Sequence, residues 1–336
     1  MAYSTTELLE ATRRLDPFMP FLVNLMCPNM ITFGTQEIAF DAFEDDMKLA
    51  PFSSPYAPGQ VGQQPSGELR KFKAPYLKPK DVVDPGRVLV RRPGEALSGT
   101  LTPAQRADAI RMDLLDSQRQ KIRRREEWMV AQMLLTGKVI VSGPRYPTSI
   151  LDFRRDANLT IDISGGAAAW DQSTAKPVED LEDWFAMLEA PATHVIFGRT
   201  AFRRALENAA FEKLVDSRRG SETVLEMAPA HMDASYRGRF GGAGPEIWSY
   251  TGYWKDASGT KQLFIPDDQV VIVSAGGGRG VRAYGAILDA NAQYVEMDLY
   301  PKNFTTDDPG QEFVMTQSAP MPLIPRIDAT AAAKVL

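Results

Sequence analysis

The clearest structural signal in the chain is the stretch TPAQRADAIRMDLLDSQRQKIRRREEWMVAQMLLTG, which runs from Thr102 to Gly137. Thr102 stands where an N-cap belongs, Pro103 takes the first helical position, and Gln105 completes a capping box. Gly137 is typical of the residue that follows the end of a helix. The stretch therefore predicts one continuous helix over residues 103–136, about 50 Å long.

The apolar residues of this helix are concentrated near its two ends. They are Ala107, Ile110, Leu114 and Leu115 in the first part, and Met129, Met133 and Leu134 in the last. The middle, DSQRQKIRRREE, has Ile122 as its one large apolar residue. We expect a strut that is anchored at its ends and largely solvated between them. The basic run Arg123–Arg125 leaves a nucleic-acid site open, but the mixed charges favour a solvated face with i,i+4 pairs.

The composition is that of an ordinary globular protein. The chain has 336 residues, 44% of them hydrophobic and 24% charged. A net charge of −5 argues against a protein that binds nucleic acid through its whole surface. The single cysteine, Cys27, excludes an internal disulfide and is expected to be a small buried residue. The apolar segment Phe18–Phe33 is too short and too interrupted to span a membrane, and the first residues do not form a secretory signal.

A proline- and glycine-rich stretch, Lys48 to Gly94, precedes the long helix. Its eight prolines and five glycines exclude a long helix or a central strand. Nine basic against three acidic residues give it a net charge of +6, so the rest of the chain carries −11. Large apolar residues alternate with the basic ones, which is unusual for a solvated linker.

We expect this stretch to be an arm that lies on another copy of the protein, held by complementary charge and apolar burial. A locally folded surface loop and a nucleic-acid arm are the alternatives. The candidate intersubunit residues are Arg70, Lys71, Phe72, Lys73, Tyr76, Lys78, Lys80, Arg91 and Arg92.

The other segments mix helices and strands without a strict βαβ order, which predicts an α+β fold. A short helix is expected near residues 5–12, an edge strand at Glu37–Phe43, and strands in KVIVSG and HVIFG. Helices are predicted over Val178–Ala190 and over Thr200–Val215, with Thr200 as N-cap. Further strands are expected around Trp248, Leu263 and Val270, and within QYVEMDLYPKNF and EFVMTQSAP.

Residues that could carry catalysis or bind a metal are few. Neither His194 nor His231 has a cysteine or histidine at metal-ligand spacing. The sequence has no GxSxG, HExxH or GxxxxGK[ST] motif. Neighbouring acids such as Glu126 and Glu127 point apart on a helix or strand, so they are poor acid–base pairs. We expect no catalytic residue, no metal and no cofactor.

A glycine-rich loop in VVIVSAGGGRGVRAYG, Val270 to Gly285, raises the alternative of a nucleotide-binding enzyme. The loop lacks the spacing of a dinucleotide fingerprint and the lysine of a phosphate-binding loop, and a β-like segment follows it. The other interpretation is a joint whose backbone adopts positive φ. The candidate hinge residues are Gly276, Gly277, Gly278 and Gly280.

Long colinear stretches between Tyr3 and about Ile324 are similar to one known family. The strongest are YLKPK, LVRRPGE, KLVDSRRGS, GVRAYGAILDANAQ and YPKNFTTDDPGQEFVMTQSAPM. The chain resembles the major capsid proteins of the phage lambda type, and these stretches are unrelated to any catalytic signature.

The resemblance implies the Hong Kong 97 capsid fold. It assigns residues 1–40 to an N-terminal arm and 41–98 to an extended β loop that overlies a neighbouring subunit. A peripheral domain then covers 99–192 and 281–336, with residues 103–136 as its spine helix. The remaining residues, 193–280, form an axial domain, so the glycine loop lies between the axial and peripheral domains.

The resemblance also implies a function. The protein would be the major head protein of a tailed double-stranded DNA phage or prophage, assembled in the host cytoplasm and located in the virion. Hexamers and pentamers would close into an icosahedral shell around DNA that is packaged without sequence specificity. Scaffold or protease, portal and head decoration proteins are the expected partners, and no membrane is expected. A cellular encapsulin-like nanocompartment shell is the main alternative.

Overall fold

The computed structural model describes residues 20–43, 67–90, 101–143, 146–216, 233–308 and 310–336. The α-helices in these residues are α1 (Phe21–Met26), α2 (Pro85–Leu89), α3 (Pro103–Thr136), α4 (Pro177–Met187), α5 (Arg199–Leu206) and α6 (Ala209–Leu214). Three single turns of 3-10 helix lie at Ala157–Leu159, Ala290–Ala292 and Ile327–Ala329. The helix predicted near residues 5–12 lies outside the described residues.

The strands in the described residues are β1 (Asn29–Thr32), β2 (Glu37–Phe43), β3 (Gly67–Lys73), β4 (Lys80–Val83), β5 (Lys138–Gly143), β6 (Tyr146–Asp152), β7 (Thr160–Asp162), β8 (His194–Phe197), β9 (Val215–Asp216), β10 (Ala234–Phe240), β11 (Glu246–Tyr250), β12 (Tyr253–Lys255), β13 (Lys261–Leu263), β14 (Gln269–Val273), β15 (Val281–Tyr284), β16 (Tyr300–Thr305), β17 (Glu312–Gln317), β18 (Pro320–Leu323) and β19 (Thr330–Lys334). Helices and strands alternate irregularly, as the sequence pattern predicts.

Helix α3 has the predicted bounds, because its ends are fixed by local capping. The Thr102 side chain accepts the N–H of Gln105, and the Gln105 side chain accepts the N–H of Thr102. Gly137 ends the helix in the left-handed conformation, with φ of 69°. The Arg155 guanidinium also donates to the carbonyl oxygens of Leu134 and Leu135, so the last turn is capped a second time.

The middle of α3 is buried, and the expectation of a largely solvated middle is wrong. Gln118, Ile122, Glu126 and Glu127 are all buried. Gln118 donates to the carbonyl oxygen of Val314 in β17, at 2.9 Å, so a sheet covers this part of the helix. The polar residues are tolerated in the core because they find hydrogen-bond partners there.

The largest sheet has seven strands in the order β7-β19-β14-β8-β11-β10-β9. β8 and β11 are parallel, as are β7 and β19, and the other neighbours are antiparallel. Alternate residues of β14 enter two different cores. Val271 and Val273 pack in a core with α1 and the last turns of α3, whereas Val270 and Ile272 pack in a core with Trp184 of α4.

The described residues also form five smaller sheets. They are β1-β15-β18, β16-β17-β4, β2-β3, β5-β6 and β12-β13. β1 and β15 pair in parallel, and β4 is an edge strand on β17. In its described residues, 67–90, the proline-rich stretch thus supplies no central strand, in agreement with its composition.

The helix predicted over Thr200–Val215 is wrong in its continuity and its cap. The chain forms two helices, α5 and α6, and Thr200 lies inside α5. The Asn208 side chain accepts the N–H groups of Ala210 and Phe211, so a second N-cap restarts the helix. None of the described helices is long and apolar enough to span a membrane.

Candidate intersubunit arm and glycine joint

β3, the first described element of the predicted arm, forms a two-stranded hairpin with β2, which precedes the arm in the sequence. β2 and β3 pair antiparallel, from Glu37 opposite Lys73 to Phe43 opposite Gly67. Since successive strand residues face opposite sides, Lys71 and Lys73 are exposed whereas Phe72 is half-buried.

The base of the hairpin is anchored on its own chain. The ring of Phe72 packs 5.2 Å from that of Phe153, and Ile38 in β2 is fully buried in the same core. The backbone of Arg70 lies in β3, opposite Phe40.

Tyr76 fixes the chain where it leaves the hairpin. Its hydroxyl donates to Gln317 Oε1 at 2.7 Å and accepts the N–H of Leu288 at 3.0 Å. Gln317 in turn donates to Asp289 Oδ2, which also accepts from Lys302. Partial burial raises the pKa of Tyr76. The hydroxyl therefore remains a neutral donor in a connected polar network.

Lys78 lies just before β4, and Lys80 is the first residue of that strand. The Lys80 ammonium lies 3.7 Å from the ring centre of Phe313, a cation–π contact within the chain. Lys78 is exposed, with its ammonium 5.0 Å from the Tyr76 ring. Arg91 and Arg92, like His231, lie outside the described residues.

Among the described candidate arm residues, Phe72, Tyr76, Lys78 and Lys80 contact other side chains of the same chain, and all four lysines are exposed. Phe72, Tyr76 and Lys80 hold the stretch on its own subunit, which is what the alternative of a locally folded loop requires. Lys71, Lys73 and Lys78 are exposed and available to a neighbour. The intersubunit role of this stretch stays a prediction.

The candidate hinge glycines connect two sheets. Residues 276–280 follow β14 of the seven-stranded sheet and precede β15 of the three-stranded sheet. The N–H of Gly278 donates to Ser274 O at 2.8 Å, and that of Gly277 to Ser274 Oγ at 3.3 Å. The N–H of Gly280 donates to Met26 O at 2.7 Å. These N–H groups are already used, so the loop is not arranged as a phosphate cradle.

Close packing, and not positive φ, requires glycine at three of the four positions, so the expectation of positive φ is wrong. None of the four candidate glycines has a left-handed backbone. A β-carbon would lie 2.7 Å from Ala190 Cβ at Gly277, 2.8 Å from Ala329 Cβ at Gly278, and 1.9 Å from Leu323 O at Gly280. At Gly276 the nearest atom, Thr193 Cγ2, would be 4.0 Å away.

A buried carboxylate that the sequence pattern does not reveal binds the first turn of α1. Glu127 Oε1 accepts the N–H of Leu22 at 2.8 Å and the hydroxyl of Tyr250 at 2.7 Å. Its Oε2 accepts the N–H of Val23 at 3.0 Å. Burial raises the pKa of Glu127 to about 7, although these three donors oppose the shift. Glu127 thus joins α3, the first turn of α1 and β11.

The neighbouring acid, Glu126, points to another sheet. It accepts from the Tyr284 hydroxyl of β15 at 3.0 Å and from Arg123 at 3.0 Å. Arg123 also lies 3.5 Å from Asp298. The two acids diverge, as expected, but each links the long helix to a different sheet. The heptad-like spacing of Leu115, Gln118, Ile122, Glu126, Met129 and Met133 is the sequence signal that could have revealed the burial of Glu126.

The remaining candidates for chemistry have structural roles. His194 Nδ1 lies 2.9 Å from Thr193 Oγ1 and its Nε2 lies 3.6 Å from Glu246, while burial lowers the histidine pKa. Cys27 is fully buried, as predicted, and burial raises its thiol pKa to about 12. In the part of the chain that the structure describes, no three acidic, histidine or cysteine side chains form a group that could hold a metal.

Comparison with known proteins connects this architecture to phage heads. The chain is 30% identical to the major capsid protein of Escherichia phage lambda over 331 residues, which cover 96% of both chains. It is 28% identical to the putative capsid protein of a prophage from Escherichia coli CFT073, with a TM-score of 0.80 and full coverage of both chains. An encapsulin complex from Synechococcus elongatus shares the fold alone, with a TM-score of 0.50, 10% identity and coverage of 96% of this chain and 89% of that one.

The lambda-type resemblance is confirmed by these matches, as is a mixed fold of helices and strands shared with phage capsids and encapsulins. The family model for Phage major capsid protein E matches residues 4–335. This is a family of structural proteins, so membership of the family confirms the prediction that the chain is not an enzyme. The chain belongs to the phage major capsid protein E family and is a component of the phage head.

Proposed function

We propose that this major capsid protein assembles into hexamers and pentamers that close into an icosahedral shell around double-stranded DNA. The observation that carries the proposal is the family match over almost the whole chain. The hairpin supports it, because its base is anchored on its own chain while Lys71 and Lys73 are exposed. Such an arm adds contact area between neighbours without one tight interface, which suits a shell built from many weak contacts.

We assign the chain to the parts of the Hong Kong 97 fold. Residues 1–40 form the N-terminal arm and 41–98 the extended loop, and the long helix is the spine of the peripheral domain. Within the seven-stranded sheet, β19 pairs with β14, and β7 pairs with β19. We therefore place residues 160–162 and 330–334 with the axial domain of 193–280, and keep the rest of 99–192 and 281–336 as peripheral.

The charge of the subunit supports a shell around DNA. The 43 acidic residues outnumber the 38 lysines and arginines, so the subunit as a whole has no excess positive charge that would hold packaged DNA to the wall. Scaffold or protease, portal and decoration proteins are the partners we propose on the basis of the family.

Electron microscopy of the protein expressed alone tests the shell. Closed shells or tubes are the expected result. If monomers or small rings form, co-expression with the scaffold protein of the same phage follows, and the absence of shells there too would refute the proposal. Particles isolated from the native host that contain protein cargo in place of DNA would support an encapsulin-like compartment instead.

The double variant Lys71→Glu, Lys73→Glu tests the arm. We expect it to lose assembly at an unchanged melting temperature, because both side chains are exposed and charge reversal opposes an acidic neighbour. The matched control, Lys71→Arg with Lys73→Arg, keeps the charge and should assemble. Normal shells from the charge-reversed variant would refute the arm contact without affecting the shell function.

A further inference from the structure

Helix α1 depends on the rest of the protein for its stability. It has six residues, its N-cap is Pro20, and no side chain of its own segment caps it. Isolated helices of this length do not form in water. Its first-turn N–H groups, those of Leu22 and Val23, are satisfied by the carboxylate of Glu127 on α3.

The two ends of α1 meet opposite sides of the glycine joint. At the N-terminal end, the ring of Phe21 packs 5.2 Å from Trp248 and 5.6 Å from Tyr250, both in β11 of the seven-stranded sheet. At the other end, Met26 O accepts the N–H of Gly280 at 2.7 Å, immediately before β15 of the three-stranded sheet.

The chain beyond α1 strengthens the second attachment. Pro28 O accepts from Arg282 at 3.0 Å, and β1 then pairs in parallel with β15. Helix α1 therefore spans the joint, with one end on each sheet.

We propose that α1 is a clasp that holds the glycine joint closed, and that Glu127 keeps the clasp in place. All three hydrogen bonds to this carboxylate come from uncharged donors, so a neutral variant of similar shape changes the contact without stranding a cation. In Glu127→Gln an amide NH₂ group replaces one of the two carboxylate oxygens. This NH₂ group then faces either the N–H of Val23 or the N–H of Leu22 and the hydroxyl of Tyr250, so donors meet without an acceptor. Loosening at this end frees α1, and with it the acceptor that Met26 offers to the joint.

The biological role of the clasp rests on the proposed shell function, because the joint sets how the two sheets of a shell subunit are oriented towards each other. The clasp itself is a property of the single chain. It can be tested whether or not shells form, so failure of one proposal is distinguishable from failure of the other.

Cys27 is a natural reporter for the clasp. It is the only cysteine in the chain, forms the C-cap of α1 and is fully buried. We would measure its labelling by a thiol reagent at pH 8 in the full chain, alongside hydrogen–deuterium exchange of the peptide containing Gly280. For Glu127→Gln we expect both rates to rise about tenfold or more, the effect of losing one buried hydrogen bond to a charged group.

Glu126→Gln is the matched control, since Glu126 is equally buried on the same helix but contacts Tyr284 and not α1. It should leave the labelling rate of Cys27 unchanged. Equal acceleration in both variants would mean that α3 loosens as a whole and would refute the clasp. Faster labelling with unchanged exchange at Gly280 would also refute it, because α1 would then be released without the joint.

A milder variant covers the case in which Glu127→Gln does not fold. Tyr250→Phe removes one donor to Glu127 and keeps the ring that packs on Phe21. We expect a several-fold increase in both rates. Wild-type rates in this variant, with Glu127→Gln unfolded, would count against the clasp.

Discussion

The backbone of Gly280 packs directly on the carbonyl group of Leu323: a β-carbon at position 280 would lie 1.9 Å from that oxygen. No β-carbon tolerates this distance, so Gly280→Ala must displace β15 from β18. We expect a loss of about 1–3 kcal/mol or more in the free energy of unfolding, measured by urea denaturation. Gly276→Ala is the matched control, since its nearest neighbour is 4.0 Å away, and should stay within about 0.5 kcal/mol of the wild type. Equal stability of the two variants would show that the close packing at Gly280 is not limiting.

The burial of Glu127 leads us to expect that the stability of the fold decreases as the pH rises. Burial raises its pKa from 4.5 to about 7 in the folded chain, so the folded state binds this proton more tightly than the unfolded state. The stabilisation from the protonated Glu127 is complete below about pH 4.5 and is lost as the pH rises through 7. We expect the wild type to lose about 2–3 kcal/mol between pH 5 and pH 8 relative to Glu127→Gln.

The measurement is the difference between the urea midpoints of the two proteins across this pH range. The titratable groups that interact with Glu127 are Tyr250 in β11 and Cys27, the C-cap of α1. Burial raises the pKa of Tyr250 and of Cys27, so neither titrates between pH 5 and 8. The contribution of Glu126 is present in both proteins and cancels in the comparison. A pH-independent difference would show that Glu127 is charged throughout.

Glu312 predicts the opposite pH dependence. Arg111 on α3 donates to both carboxylate oxygens, at 2.7 and 2.8 Å, and lowers the pKa of Glu312. The ion pair therefore stabilises the fold above pH 4.5, and the contribution is lost as pH falls through the lowered value. Because the pair is partly exposed, we expect Glu312→Gln to cost only about 1 kcal/mol at pH 7. Thermal melting at pH 7 and pH 3 would measure this, and a cost that persists at pH 3 would contradict the ion-pair explanation.

The cap of α3 predicts a cost from a single exposed residue. Thr102→Ala removes the acceptor for the N–H of Gln105 and should lower stability by about 1 kcal/mol, whereas Thr102→Ser keeps it. Urea denaturation of both variants tests this. An alanine variant as stable as the serine variant would show that the first turn of α3 does not limit folding.

The bounds of α3 could be predicted because the signals are local: Thr102, Gln105 and Gly137 lie at the helix ends they fix. The surroundings of Glu127 could not be predicted, since its partners Leu22 and Tyr250 are 105 and 123 residues away in the sequence. A run of charged residues is indistinguishable from a solvated face until those partners are known.

Two other differences between the sequence-based predictions and the structure have similar causes. The helical spacing of apolar residues continues across Asn208 and hides the break there, although asparagine is itself a preferred N-cap. In the arm, the mixture of basic and apolar residues argued against a solvated linker, and β3 and β4 are strands. It could not show that Phe72 packs on Phe153, or that Lys80 lies over Phe313, because both partners lie far along the chain.

The position of β19 inside the seven-stranded sheet has a consequence for how the subunit folds. Ala332 pairs with Thr160 on one side and with Val271 on the other. Strands β7 and β14 are synthesised before β19, so neither can complete its pairing until β19 has been made. Contacts this distant in sequence form slowly. In the interval, the edges of β7 and β14 are open to a strand from another nascent chain, and crowded synthesis exposes the subunit to misassembly before its own sheet is complete.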